Sequence, residues 1–489
     1  MSRPVLSYAF ARQHGVLALE SESGVVIAHK QSAPLPALLE ARRAVGRSVS
    51  REVLTPEAFE QRLSATYAQA DLAGASEDAL GAPQDLSALA DGLPRTSDLL
   101  DSSDDAPIIR LINGVLQEAI RARASDIHIE PYEQRLSVRF RIDGTLSEAL
   151  SLPARLAPAL TSRVKVMSRL DIAQKRVPQD GRFSLNLGER RIDLRVSTLP
   201  SRHGERVVMR ILEKDTQRMA LEELGMDADV LDCFASALAR PNGIILVTGP
   251  TGSGKTTSLY AALSRLNDGS RNILTVEDPV EYALDGIGQT QVNTAVGMSF
   301  AAGLRAILRQ DPDVVMVGEI RDPETAEIAV QAALTGHLVL STVHTNSAVA
   351  SVARLRDMGV EPFLLSSTLT ALVAQRLVRK LCEACKEPYS PPAVELAELG
   401  LTGHGHTFYR PKGCPACSGV GYVGRLGLYE IVPMTEQLRT MIHDGATESQ
   451  MSAVAFAARQ TLLADGAEKV AAGLTSRDEV LRVCRTDEG

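Results

Sequence analysis

Residues 249–256 run Gly249-Pro250-Thr251-Gly252-Ser253-Gly254-Lys255-Thr256. The glycines let the main chain curl with its N–H groups turned inward, and a following helix N-terminus adds partial positive charge, so the segment is suited to hold phosphates. At this spacing Lys255 reaches the β- and γ-phosphates of a nucleoside triphosphate, and the Thr256 hydroxyl ligates Mg²⁺. A second element, Asp313-Val-Val-Met-Val-Gly-Glu319, is a short apolar run ending in an acid. A strand buried in a parallel sheet would deliver Glu319 beside the phosphates, where it could polarise the attacking water or hold the Mg²⁺ shell. A third, Thr275-Val-Glu277-Asp278-Pro-Val-Glu281-Tyr282, places Glu277 and Asp278 at a strand end near the same edge. Clustered carboxylates at a phosphate site imply a cation between them. A solvated acidic turn would have the same composition.

Cys382-x₂-Cys385 and Cys414-x₂-Cys417 stand 28 residues apart. Each pair can present two thiolates to one tetrahedral ion, so the four together match a closed, structural zinc site with no open position for catalysis. Four reduced thiols or a redox pair are the alternatives. Cys233 and Cys484 lie in apolar helical contexts and read as packed.

These groups need elements to position them. Ile244–Thr248 is a β-branched run that enters the phosphate loop, and Thr257–Arg265 continues it as a helix. Upstream, Asp227–Ala239 reads as a helix; downstream, Gln437–Ile442, Gln450–Asp465 and Arg477–Arg485 read as helices flanking the nucleotide domain. Residues 107–218 form an Arg-rich α+β domain. Ile108–Arg123 and Leu156–Ser168 are its helices, and Asp126–Glu130, Leu136–Ile142, Gly181–Asn186, Arg191–Ser197 and Arg206–Leu212 its strands. Residues 1–95 form a small α/β domain with two strands around Ser23-Gly24 and helices at Ser7–Gly15, Pro36–Ala44 and Pro56–Tyr67. Ala73–Ala106 is rich in Gly, Ala, Ser and Asp, and its end, 96–106, serves as the linker. The expected fold is therefore α/β: a RecA-like P-loop domain over 219–489 with an inserted Cys₄ zinc subdomain at 380–420, preceded by the α+β and the small amino-terminal α/β domains.

The chain has 489 residues, 44% hydrophobic and 23% charged, which excludes wholesale disorder. Its net charge is −8 and aromatics are only 4%, which argues against a general nucleic-acid binder. Residues 1–106 hold 9 basic and 15 acidic side chains, suiting either a basic protein partner or a solvated acidic surface. Met1–Arg12 lacks the pattern of a signal peptide. The longest uncharged stretch, Ile328–Ala353, carries Gln331, His337, Ser341, His344 and Asn346, too polar to span a bilayer. A cytosolic protein, touching membranes only through partners and with its cysteines reduced, is expected.

Taken together, Arg123-Ala-Ser-Asp-Ile-His-Ile-Glu130, the phosphate loop, Thr275–Tyr282, the run ending at Glu319, Thr335-Gly-His337 through His344-Thr345-Asn346 and the four cysteines resemble one family. This is the secretion ATPase family, the motor subunits of type II secretion and type IV pilus machines. The opening Leu6-Ser-Tyr-Ala-Phe-Ala-Arg-Gln-His-Gly15 is similar to the type II branch. The resemblance implies ATP hydrolysis, a ring that is a hexamer, and ATP bound between the Arg-rich and P-loop domains. It implies phosphate contacts for Arg195 and Arg210 on adjacent strands. Arg305 and Arg309, at i and i+4 on one helix face, would sense the γ-phosphate or act across a subunit boundary. His337, with His344 second to it, would relay nucleotide state into the sheet, although a satisfied interface histidine is as good a reading. The residues 1–95 would bind an inner-membrane secretion platform protein, leaving the motor peripheral on that membrane. A type IV pilus assembly ATPase, a RecA-like nucleic-acid translocase and a nucleotide-binding scaffold remain as competing readings.

Overall fold

The computed structural model describes residues 3–6, 10–11, 14–21, 24–46, 49–56, 58–59, 62–63, 66, 106–187, 190–213, 219–403, 405–457 and 459–484. The linker expected at 96–106 and the helices expected at Ser7–Gly15 and Pro56–Tyr67 lie largely or wholly outside the described residues. The chain divides into two compact units, Met1–Asp215 and Thr216–Gly489.

The first unit opens with a four-stranded sheet of β1 (Arg3–Pro4), β2 (Val16–Ser21), β3 (Gly24–Lys30) and β4 (Val49–Leu54), in that order. β2 and β3 form the expected hairpin, with Leu17 opposite Ala28. Strand alternation sorts their side chains. Val16, Ala18 and Ile27 pack with Ala37, Leu38 and Ala41 of helix Leu35–Val45, whereas Leu17 and Ala28 pack with Phe59 and Leu63.

After residue 105 an antiparallel six-stranded sheet follows, in the order β7 (Thr145–Pro153), β6 (Arg135–Ile142), β5 (Asp126–Pro131), β10 (Gly204–Glu213), β9 (Arg190–Ser201) and β8 (Gln179–Leu187). Ile127, Ile129, Val138, Phe140, Leu194, Val196, Val207 and Met209 bury one face with apolar residues of helices Ala106–Arg121 and Ala157–Met167. The other face is polar. Across five strands one register row reads Arg141, Asp126, Arg210, Arg195 and Arg182, each directly opposite the next.

The second unit is built on a seven-stranded sheet: β13 (Gly288–Gln291), β12 (Ile273–Glu277), β14 (Val314–Val317), β15 (Leu338–Val343), β11 (Gly243–Thr248), β16 (Leu369–Leu381) and β19 (Tyr422–Pro433). All neighbours are parallel except β16 and β19. Every residue of β11, β14 and β15 is buried, because helices cover both faces; this is why those strands are mainly aliphatic and lack the apolar–polar alternation of a half-exposed strand, with Thr248, Ser341 and Thr342 as buried hydroxyls among them. Ile244 and Leu246 pack with Ala326, Ala329 and Val330 of helix Pro323–Leu334. Ile245 and Val247 pack with Leu259, Ala262 and Leu263 of helix Lys255–Leu266 and with Phe234 of helix Ala228–Leu238. The β16–β19 pair is not foreseen by the sequence reading. Its base closes at Leu381 opposite Tyr422, and residues 382–421 emerge there with a two-stranded sheet of β17 (Glu387–Tyr389) and β18 (Phe408–Arg410).

The single helix expected at Gln450–Asp465 is two, Glu448–Ala455 and Leu462–Ala471. The hydroxyl of Thr461 accepts the N–H of Ala464 and starts the second helix, a cap that apolar periodicity does not reveal. Asp465 then lies 2% exposed, accepting the Tyr429 N–H at 2.7 Å and both bonds of a 2.6 Å pair with Lys469 Nζ. Burial pushes this carboxyl up from its usual value, and Lys469 opposes the rise. Among the described residues no helix is long and apolar enough to cross a membrane. Replacing Asp465 by Ala strands a buried ammonium and a buried N–H. Asp465→Ala should destabilise the second unit by about 3–5 kcal/mol, seen as a lower urea midpoint, and pairing it with Lys469→Met should recover most of the loss.

Candidate active site

The phosphate loop forms because β11 ends at the carboxyl edge of the sheet and helix Lys255–Leu266 starts directly after it. Gly249 has φ +148°, and a Cβ there would lie 2.4 Å from the Gln375 carbonyl oxygen and 2.6 Å from Ser253 Oγ. Only glycine fits so close beneath β16. Gly254 (φ +87°) caps the helix. Lys255 is 9% exposed and its Nζ donates to the carbonyls of Gly249 at 2.7 Å and Pro250 at 3.0 Å. Burial draws this ammonium down to about 8; Glu319 opposes the fall and Arg376 reinforces it. Thr256 is exposed at the first turn of the helix, and Ser258 two residues on donates to Gln375 Oε1 at 2.8 Å. Arg376 is 4% exposed beside the loop, with its Nη2 on the Asn346 carbonyl at 2.7 Å.

Glu319 stands at the same edge, two residues past β14, and is 9% exposed. Its Oε1 meets Arg321 Nη2 at 2.5 Å and its Oε2 meets His344 Nε2 at 3.4 Å. Thr248 fixes the segment that carries His344, accepting the Thr345 N–H at 2.8 Å. Glu277 ends β12, next to β14. The two segments stay joined just past β14, where the Gly318 N–H donates to the Val276 carbonyl at 2.8 Å. Glu277 is 3% exposed, with Tyr260, Thr275 and Gln289 donating to its oxygens.

The other expected residues lie elsewhere. His337 precedes β15, and β15 runs parallel to β11 with Leu338 opposite Gly243, so His337 sits at the opposite edge of the sheet from the phosphate loop. Its Nδ1 is 2.8 Å from the Ala332 carbonyl oxygen. Within this unit His344, at the other end of the strand, is the histidine beside Glu319, which reverses the ranking that the sequence suggests. Arg305 and Arg309 do not share a helix face. The helix ends at Ile307, Arg309 and Gln310 turn on the carbonyls of Ala306 and Ile307, and Asp311 (φ +52°) precedes Pro312, which disfavours continued helix. Arg305 Nη1 pairs with Glu324 at 2.7 Å on the surface, and Arg309 lies in the turn leading to the start of β14. Arg321, Arg376, Tyr260 and Gln289 join the site without being foreseen by the sequence reading. Arg321, two residues after Glu319, had a signal in its spacing; the others depend on long-range register.

In the first unit, Arg195 and Arg210 are exposed and directly opposite on β9 and β10. Arg210 Nε donates to Asp126 at 2.9 Å. Burial would raise the Asp126 carboxyl, but the bonds from Arg210 and Ser125 hold it below its usual range. Glu130, 3% exposed, takes Arg139 Nη2 at 2.7 Å together with Arg206. The Ser125–Glu130 segment thus grips arginines from the neighbouring strands.

The four Sγ atoms of Cys382, Cys385, Cys414 and Cys417 all lie within 4.8 Å of one another. Three of the separations are 3.7, 3.8 and 3.9 Å. Four thiolates about 2.3 Å from a tetrahedral zinc would stand roughly 3.8 Å apart, so the donor set fits that ion. The N–H groups of Cys414 and Gly421 point at Cys417 Sγ, each at 3.1 Å, which favours thiolate.

Residues 101–482 match the family model for type II/IV secretion system proteins, and residues 5–67 match that for an amino-terminal domain of GSPII protein E. The type II secretion system protein E of Pseudomonas aeruginosa is 55% identical over 485 residues, 99% of this chain and 96% of the relative. The type II secretion system ATPase E of Vibrio cholerae is 54% identical, over 92% of this chain and 90% of the relative. Among solved structures, the pilus retraction motor PilT with bound ADP superposes with a TM-score of 0.52 at 26% identity, over 76% of this chain and 95% of that one. The Legionella pneumophila ATPase DotB shares the fold, with a TM-score of 0.58 at 22% identity over 77% of this chain and 95% of that one. With the loop, the sheet-edge carboxylates and these relationships in place, the chain belongs to the type II/IV secretion system protein family and is an ATPase.

Proposed function

We propose that the chain is the ATP-hydrolysing motor of a bacterial type II secretion system, powering pseudopilus assembly and protein export across the outer membrane. One observation carries this reading: a glycine-cradled lysine, Lys255, and a shielded carboxylate, Glu319, share one sheet edge, in a chain more than half identical to type II secretion proteins along nearly its whole length.

In this reading the backbone of Gly249–Thr256 binds the phosphates and Lys255 neutralises their charge. Thr256 and the carboxylates Glu319 and Glu277 are the groups that would hold Mg²⁺, which supplies charge neutralisation on the phosphoryl oxygens. Glu319, between Arg321 and His344, and Glu277, among neutral donors, orient what reacts. Arg195 and Arg210 place like charges side by side, an arrangement that a phosphate-bearing anion relieves. Cys382, Cys385, Cys414 and Cys417 would hold zinc as a structural ion at the base of the β16–β19 pair. We further propose a hexameric ring, with Arg305 and Arg309 sensing the γ-phosphate or acting across a subunit boundary and His337 relaying nucleotide state into the sheet. The amino-terminal module would anchor the ring on an inner-membrane platform protein. Leu35 and Leu39, one turn apart and 64% and 54% exposed, give that module an apolar edge to offer.

Glu319→Gln should lower ATP turnover at least a hundredfold while magnesium nucleotide still binds within a few-fold; hydrolysis at the parent rate would overturn the motor reading, and failure to restore export in a secretion-deficient strain should accompany the loss. The nucleotide-binding step should depend on the Lys255 proton. Because burial holds that ammonium near 8, its charged form is complete well below this pH and is lost above it. Plots of kcat/KM for ATP should therefore fall as pH rises through about 8, and a flat profile between pH 7 and 9.5 would contradict it. Elemental analysis should find one zinc per chain, and Cys414→Ser should abolish it and expose residues 382–421 to protease while nucleotide binding persists.

A further inference from the structure

Tyr260 has no part in the expected chemistry and looks like core, at 1% exposed. It lies on helix Lys255–Leu266, five residues past the phosphate-loop lysine. Its ring packs edge-on against Tyr282, with centroids 4.7 Å apart. Its hydroxyl, however, donates to Glu277 Oε2. The same oxygen atom of Tyr260 accepts the N–H of Glu281 at 3.3 Å and lies 3.3 Å from Gln289 Nε2. The second carboxylate oxygen, Oε1, takes the Thr275 hydroxyl at 2.5 Å and Gln289 Nε2 at 3.1 Å. Gln289 also spans Tyr282 and Leu284, with its Nε2 3.2 Å from the Tyr282 carbonyl and its Oε1 accepting the Leu284 N–H at 2.7 Å.

Both oxygens of Glu277 are therefore held by neutral donors from three elements: the helix behind the phosphate loop, β12 itself and the edge strand β13. Among the described residues no cation pairs with Glu277. A buried carboxylate with two fixed oxygens has one rotamer, and the group that fixes it from the helix is the phenol. A phenylalanine would fill the same volume, so packing alone does not call for the hydroxyl.

We propose that Tyr260 is a positioning residue for Glu277. Its hydroxyl aims the carboxylate and ties that aim to the helix whose first turn grips the phosphates, with Gln289 bracing the same carboxylate from β13. This rests on the reading of Glu277 as part of the hydrolytic site. Movement of the helix on phosphate binding is then transmitted to Glu277 and to the acidic segment that follows it, since the Tyr260 oxygen also holds the Glu281 backbone.

The test is a double-mutant cycle on the full-length protein, with steady-state ATP hydrolysis and binding of a fluorescent ADP measured for each member. Tyr260→Phe should lower kcat by about 10–100-fold with KM and nucleotide affinity within twofold. In the Glu277→Gln background, Tyr260→Phe should cost nothing further. Additive losses, or a loss in affinity matching the loss in kcat, would overturn the proposal, because the hydroxyl would then act through packing or through the loop. Should Glu277→Gln turn over as fast as the parent, the reading of Glu277 itself fails, and the proposal with it; a normal Tyr260→Phe beside a slow Glu277→Gln overturns the proposal alone. Gln289→Leu on the half-buried edge strand provides the second variant if Tyr260→Phe lowers the thermal midpoint, and a kcat indistinguishable from the parent would equally refute it.

Discussion

A lysine ammonium buried at the end of a parallel sheet is the constraint around which the second unit is arranged. A charge removed from water must be met by dipoles or opposite charge. Lys255 is met by carbonyls of its own loop, and this is possible only because Gly249 turns beneath β16 where no side chain fits. The same burial lowers the affinity of Lys255 for its proton. An anionic phosphate held by the loop, as proposed, would restore the balance. Arg376 on β16 adds to the positive field, and Glu319 limits it.

Strand order converts this local arrangement into a site. β11, β14 and β12 each end at the same edge because all three are parallel, and residues separated by tens of positions meet there. Hydroxyl bonds lock the edge. Ser341 donates to the Val317 carbonyl, Thr342 to that of Gly318, each at 2.8 Å, and Thr248 ties the end of β11 to Thr345. These buried hydroxyls are why the central strands are not purely aliphatic. They fix the spacing between the segment carrying Glu319 and the segment carrying His344.

Most of the fold and the centre of the site were legible in the amino-acid sequence because they are local. The strand, glycine loop and helix around 243–266 are contiguous, and so are the apolar run before Glu319 and the two Cys-x₂-Cys pairs. What the sequence hid was non-local or a matter of helix ends. His337 and His344 flank one strand, and only the parallel register with β11 tells which end lies at the edge of the phosphate loop. Arg305 and Arg309 have helical spacing, but the turn before Pro312 separates them. Tyr260 could not be told from a packing aromatic, because its distinguishing partner is 17 residues away across the sheet. Strands β16 and β19 were hidden by their charge, with Arg376, Arg379 and Glu430 interrupting the apolar pattern. Those charges are satisfied in place: Glu430, 4% exposed, accepts the N–H groups of Ala348 and Leu462.

The two carboxylates at the edge differ in partners rather than in burial, and this separates what they can do. Glu319 is 9% exposed and faces two groups that carry or can carry positive charge, Arg321 and His344. Its orientation therefore depends on the local charge: a metal ion arriving at the edge would compete with Arg321 and His344 for the carboxylate, and a phosphate would compete with the carboxylate for Arg321 and His344. Glu277 is 3% exposed and faces hydroxyl and amide donors. Its orientation depends on where those donors sit, which is to say on the positions of β13 and of the helix behind the phosphate loop. One carboxylate thus answers to electrostatics and the other to geometry. A motor needs both responses at one site, since nucleotide charge must be sensed and must also be turned into displacement of the elements that hold it.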